Sequence, residues 1–138
     1  MGLDQSVYVI QAREGLKDFY LSEDKDIPDD LKDADDIYEL SLRKEYAVQE
    51  FMFEKAKKKG IKNDAEFYGA LFRVTEDDVK ELHKLAESPE KLKEYSGRWR
   101  APGEDYDEWN QDEVRKFCRI LMQYVAFDDY AAYYESDW

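Results

Sequence analysis

The sequence predicts an α+β domain over residues 1–138. A small antiparallel or mixed sheet, the N- and C-terminal strands included, packs against a long buried central helix and a C-terminal helix. Three observations carry that expectation. Residues 37–59, IYELSLRKEYAVQEFMFEKAKKK, are apolar nearly all the way round when laid at about 100° per residue. One face carries Ile37, Leu40, Ala47, Val48 and Phe51, the other Tyr38, Leu42, Tyr46, Met52 and Phe53. Glu39, Arg43, Glu50, Glu54 and Lys57 are left to face water, and a helix so constituted is a buried one. Second, Val114, Phe117, Cys118, Leu121 and Val125 recur at helical spacing near the end of the chain. Third, residues 5–12, QSVYVIQA, and 130–138, YAAYYESDW, put β-branched and aromatic side chains on both faces of an extended chain, as internal strands do.

Taken in order, the first strand is followed by a turn at Gly15 and a short strand at residues 18–21. Residues 22–36 hold an excess of aspartate and glutamate and read as an acidic surface loop leading into the central helix. That helix ends in Lys55, Lys57, Lys58 and Lys59 before Gly60: cations meet the carbonyl end of the dipole and glycine takes the left-handed cap. Residues 66–74 form another strand, with Gly69 at a bulge or close approach. Thr75 with Asp78 caps a helix carrying Val79, Leu82, Leu85 and Ala86, which Ser88 and Pro89 stop. The same pair starts a short helix bearing Leu92 and Tyr95 and ending at Gly97. Residues 98–109 read as an irregular aromatic loop, after which Asn110 with Glu113 caps the last helix and Asp128 and Asp129 break it.

Composition narrows the function classes. With 34 acids against 21 lysines and arginines, the net charge of −13 repels nucleic-acid backbones and anionic membranes and favours a basic partner. One cysteine permits no internal disulfide and suits a reducing cytoplasm. Nothing near Met1 resembles a signal peptide and no apolar run reaches about 20 residues, so the protein is expected in the cytoplasm. No catalytic constellation stands out. His83 has no cysteine near it in sequence, and Cys118 lies on an apolar helix stripe, where it acts as a small hydrophobe. The six glycines are scattered singly, without a phosphate-cradling loop, and the cluster of Asp33, Asp35 and Asp36 lacks the glycine and closing glutamate of a calcium loop. The expectation is therefore no enzyme, no metal and no cofactor.

The opening MGLD, the segment LRKEYAVQEFMF at 42–53, the segment FRVTEDDVKEL and the ending YYESDW together resemble a family of small phage and bacterial proteins that open Met-Gly-Leu-Asp, then commonly Met-Tyr. The family often has Tyr-Trp-Arg-Lys before its central helix and Ile-His or Leu-His within it. This chain has Leu42 before Arg43 and Lys44, and Val48 with Gln49, so chemistry resting on that tryptophan or histidine is not implied. The resemblance implies a phage or prophage origin, a small α+β domain and no assigned chemistry. The residues leave three readings open. In the first, an accessory protein blocks a basic nucleic-acid-binding host or defence protein, of a CRISPR-Cas, restriction or similar system, by acidic mimicry through Asp29, Asp30, Asp33, Asp35 and Asp36 and through Glu104, Asp105, Asp107 and Glu108. In the second, a small-ligand module uses Trp99 and Trp109 as pocket walls. In the third, the charge keeps a domain with a housekeeping role soluble.

Overall fold

The structure is a computed structural model that describes residues 2–21, 38–127 and 129–138. Five strands, β1 (Asp4–Gln11), β2 (Phe19–Leu21), β3 (Tyr38–Arg43), β4 (Ala70–Val74) and β5 (Tyr130–Asp137), form one sheet in the order β2-β4-β5-β1-β3. Every neighbouring pair is antiparallel, so the α+β expectation holds in its antiparallel form. The first and last strands lie side by side, Val7 opposite Tyr134 and Tyr8 opposite Tyr133. As internal strands they bury alternate residues on both faces. Val7, Val9, Ala132 and Tyr134 join a large core with the helices, while Ile10, Ala131 and Tyr133 join Tyr20 and Leu71 in a second cluster. The short strand β2 pairs with β4 at the far edge of the sheet.

Five helices complete the described fold: α1 (Tyr46–Lys58), α2 (Asp64–Phe67), α3 (Glu76–Leu85), α4 (Pro89–Ser96) and α5 (Glu108–Val125). The buried central helix is present but shorter than its sequence suggests. Residues 38–43 are an edge strand on β1, Lys44 takes a left-handed backbone with φ 57°, and the helix starts only at Tyr46. The reason is a change of period. Tyr38, Leu40 and Leu42 alternate with Glu39, Ser41 and Arg43 as a strand requires, and joined to a true helix that alternation counterfeits a helix apolar all round. Ile37 lies outside the described residues. Within α1, Ala47, Val48, Met52, Phe53 and Ala56 are buried, as is Glu50, which the helical wheel assigns to water. The end of α1 is as expected: Gly60 has φ 117°, its N–H meets Lys57 O, and the Ile61 N–H reaches back to Ala56 O, the double bond of a Schellman cap.

The strand expected over residues 66–74 starts at Ala70, because the Asn63 side chain accepts from Glu66 N (3.0 Å) and winds α2 first. The Thr75–Asp78 capping box and the Ser88–Pro89 start are as the sequence indicates. The last helix begins one turn early. Asp107 is its cap and Asn110 is the third helical residue, whose side chain accepts from the Asp107 N–H (3.1 Å). Asp129 lies in the turn after α5, and Asp128 lies outside the described residues.

Candidate functional site

The start of α5 brings the acidic loop, an exposed tryptophan and a buried carboxyl group into one neighbourhood. Tyr106 is buried beside the exposed Asp105, Asp107 and Glu108, which anchors the loop while its carboxylates stay in water. Asp107 Oδ1 accepts the Trp109 N–H (3.0 Å), which sets Trp109 in the first turn of α5, and its ring is 67% exposed. The ring forms part of an open depression of about 540 Å³, with Glu104, Asp105, Asp107 and Asn110 on the loop side and Arg43, Lys44 and Tyr46 opposite. Glu104 is half-buried and hydrogen-bonds Tyr46. Burial, then Glu104, pushes the Tyr46 phenol up to about 12, so it stays a neutral donor.

Beneath the depression lies Glu45, fully buried between β3 and α1. Its Oε1 accepts from Tyr106 OH (3.1 Å), and Asn110 Nδ2 lies 3.4 and 3.3 Å from its two oxygens. Desolvation, followed by a hydrogen bond and like-charge repulsion from Glu113, pushes the Glu45 carboxyl up to about 9. Two carboxyl groups in contact do not both ionise cheaply, which favours the protonated form of the Glu45 carboxyl. Asn110 joins this pair to the depression, since it lines the one and bonds the other. The chemistry on offer is recognition: an exposed indole with carboxylates on one side and Arg43 and Lys44 opposite, set in the first turn of a capped helix.

The other site residues fall elsewhere. Asp29, Asp30, Asp33, Asp35 and Asp36 lie outside the described residues. Trp99 is buried against Phe53, Tyr68 and Trp138 and donates its indole N–H to Glu50 Oε2 (2.8 Å). It is a core residue and does not line the depression that Trp109 lines. Arg98 stacks on Phe53 and Trp99 and pairs with Asp64 (2.8 Å), with Glu50 at 3.9 Å. Of the terminal lysines of α1, Lys55 is paired with Glu81 and Asp78, and Lys57 and Lys59 lie over the rings of Phe53 and Phe72. Cys118 is buried, and desolvation pushes its thiol up to about 12, opposite to the shift that activates a nucleophile. Sequence reasoning missed Arg43, Lys44, Tyr46 and Asn110 as neighbours of the acidic loop. The readable signal was the Asp107 cap, which places Trp109 and Asn110 in the first turn of α5.

No protein family, curated protein or solved structure matches the chain. No helix among the described residues is long and apolar enough to cross a membrane.

Proposed function

We propose that this chain is a binding protein rather than an enzyme: a small acidic accessory protein, phage- or prophage-encoded, that docks on a basic host or defence protein and occupies its nucleic-acid-binding surface. The observation that supports the reading is the exposed Trp109 standing among Glu104, Asp105, Asp107 and Glu108. An accessible indole supplies the apolar anchor that interfaces concentrate their energy on, and the surrounding carboxylates supply attraction and steering toward a positive surface. The chain-wide charge of −13 adds long-range attraction of the same sign.

The test is capture on the immobilised protein from host lysate at low and high salt, followed by competition with duplex DNA for whatever is retained. A basic protein that is lost at high salt and displaced by DNA supports the reading. Retention that ignores both would sink it. A second reading, a small-ligand module, draws on the depression beside Trp109, and thermal shifts against a metabolite panel separate it from the first.

A further inference from the structure

The edge of the sheet at β3 carries a pattern the proposed function does not use. β3 is the terminal strand in the described sheet, with β1 on one side and no strand on the other. The Lys44 N–H donates to Leu3 O (2.8 Å), which places the backbone polar groups of Lys44 on the β1 side. These groups alternate sides along a strand, so Glu39, Ser41 and Arg43 turn their N–H and C=O groups away from β1. The same three residues have exposed side chains. An edge of this kind is a template for another strand.

The sequence of the edge says which strand fits. Residues 39–43 are Glu-Leu-Ser-Leu-Arg, chemically symmetric about Ser41 except that the charge changes sign from one end to the other. We propose that β3 is a homodimer interface: a second copy of this chain pairs antiparallel along it, with the two-fold axis through Ser41, and makes one continuous sheet across both copies. In that register Glu39 of each copy faces Arg43 of the other, Leu40 faces Leu42, and Ser41 faces Ser41. The outward backbone groups of 39, 41 and 43 meet as hydrogen-bonded pairs, as an antiparallel ladder requires. Opposite charges directly across a strand pair are favourable, and leucine pairs on the helix-side face extend the core. Moving the axis to Leu40 or Leu42 would set Glu39 or Arg43 opposite Ser41 and lose the charge match.

The groups concerned are exposed, and each makes a contact toward β1. Arg43 Nε is 3.8 Å from Asp4 Oδ1, too long for a hydrogen bond, and the Arg43 side chain is 71% exposed. Glu39 Oε1 accepts from Ser6 Oγ on β1 (2.9 Å), so the exposed carboxylate leans inward and meets an arginine across the edge through its other oxygen or by turning outward. Against pairing stands the mutual repulsion of two chains of charge −13. Added salt screens that long-range term more than the close Glu39–Arg43 contacts, so association strengthens with salt. Binding to a basic partner weakens with salt, and the two interactions are thereby separable.

Sedimentation velocity on the full chain from micromolar to millimolar concentration tests the proposal. The expected result is a reversible monomer–dimer equilibrium. Ser41→Pro, which removes an outward N–H that β1 does not use, makes the chain monomeric. Arg43→Glu weakens the dimer at least tenfold, and the exchange Glu39→Arg with Arg43→Glu restores it. Ser41→Cys yields a disulfide-linked dimer under mild oxidation, because directly opposed residues bring their Cα atoms within bridging range, while the only native cysteine is buried. Should Ser41→Pro lose its native circular dichroism, the charge exchange and the crosslink of the Ser41→Cys variant carry the decision. A wild-type chain that stays monomeric throughout overturns the proposal, as does a dimer that Arg43→Glu leaves unweakened.

Discussion

Gln5 and Glu45 are joined by a two-way clasp: the Glu45 N–H donates to Gln5 Oε1 (2.8 Å), and Gln5 Nε2 donates to the Glu45 carbonyl (2.9 Å). A side-chain amide thus completes the backbone hydrogen bonds of the residue where β3 gives way to α1. The same Nε2 reaches Tyr134 OH (2.8 Å), whose hydroxyl donates to Gln49 Oε1 (2.5 Å), so one buried network ties β1, β5 and α1 together. Removing the amide strands the buried Glu45 N–H, while the Glu45 C=O keeps the Gln49 N–H (3.1 Å). Gln5→Leu, which keeps the volume, is expected to cost about 1 to 3 kcal/mol in urea denaturation, close to the cost of Gln5→Ala. A leucine variant as stable as wild type would show that the clasp contributes nothing.

Glu50 gives the second prediction. It is 9% exposed, and its carboxyl is raised by desolvation, which the Trp99 hydrogen bond and the Arg98 charge oppose. Glu50→Ala leaves the Trp99 indole N–H buried without an acceptor and is expected to cost about 1 to 3 kcal/mol. Glu50→Gln retains an acceptor and should cost less. Equal midpoints for the alanine variant and wild type would refute the bond's role.

Phe51 provides a reference for both. It is 6% exposed in the main core, so Phe51→Ala should cost about 3 to 5 kcal/mol by the same denaturation measurement. A loss below that of Glu50→Ala would mean that the core collapses readily around the gap.

The sequence made several elements legible because their signals were local. The Thr75–Asp78 box, Pro89 after Ser88 and Gly60 after the lysines each act through bonds between residues a few positions apart. The two-faced strands at either end were legible from side-chain alternation alone. Residues 38–43 were not, since a six-residue alternation beside a genuine helix also satisfies the helical period, and only pairing with β1 decides between them. The candidate site was half legible. Its acids and Trp109 are adjacent in sequence, whereas Arg43, Lys44 and Tyr46 reach them only through tertiary contact. Trp99 misled for the converse reason: its acceptor, Glu50, lies 49 residues away.

Trp109 separates function from stability. Its ring is exposed and capping uses only its backbone N–H, so Trp109→Ala should change stability by no more than about 0.5 kcal/mol. If it anchors the basic partner, the same change should weaken binding by about 2 kcal/mol or more, read by calorimetry against the captured protein. Unchanged affinity would remove this face from the interface.

The acid pair makes the last prediction, in which the sign matters. Burial and the neighbouring Glu113 push the Glu45 carboxyl up to about 9 in the folded chain, from an ordinary value of 4.5. Its contribution is therefore fully present in mild acid and is lost as pH rises toward 9, because the unfolded chain releases a proton that the folded chain must retain. Glu45→Gln removes that titration while keeping an acceptor for Tyr106 and Asn110 and a donor for Glu113. Near pH 4.5 the variant and wild type should be about equally stable. Above it the variant should gain progressively, by at most about 1.4 kcal/mol per pH unit, until the folded carboxyl itself ionises. The difference between the two proteins is the quantity to read, since the many surface acids contribute equally to both. Urea midpoints measured at intervals from about pH 5 to about 9 would decide it: curves that stay parallel would mean that the folded chain holds no extra proton here, whereas a widening gap means that the contact between Glu45 and Glu113 retains a proton that the unfolded chain releases.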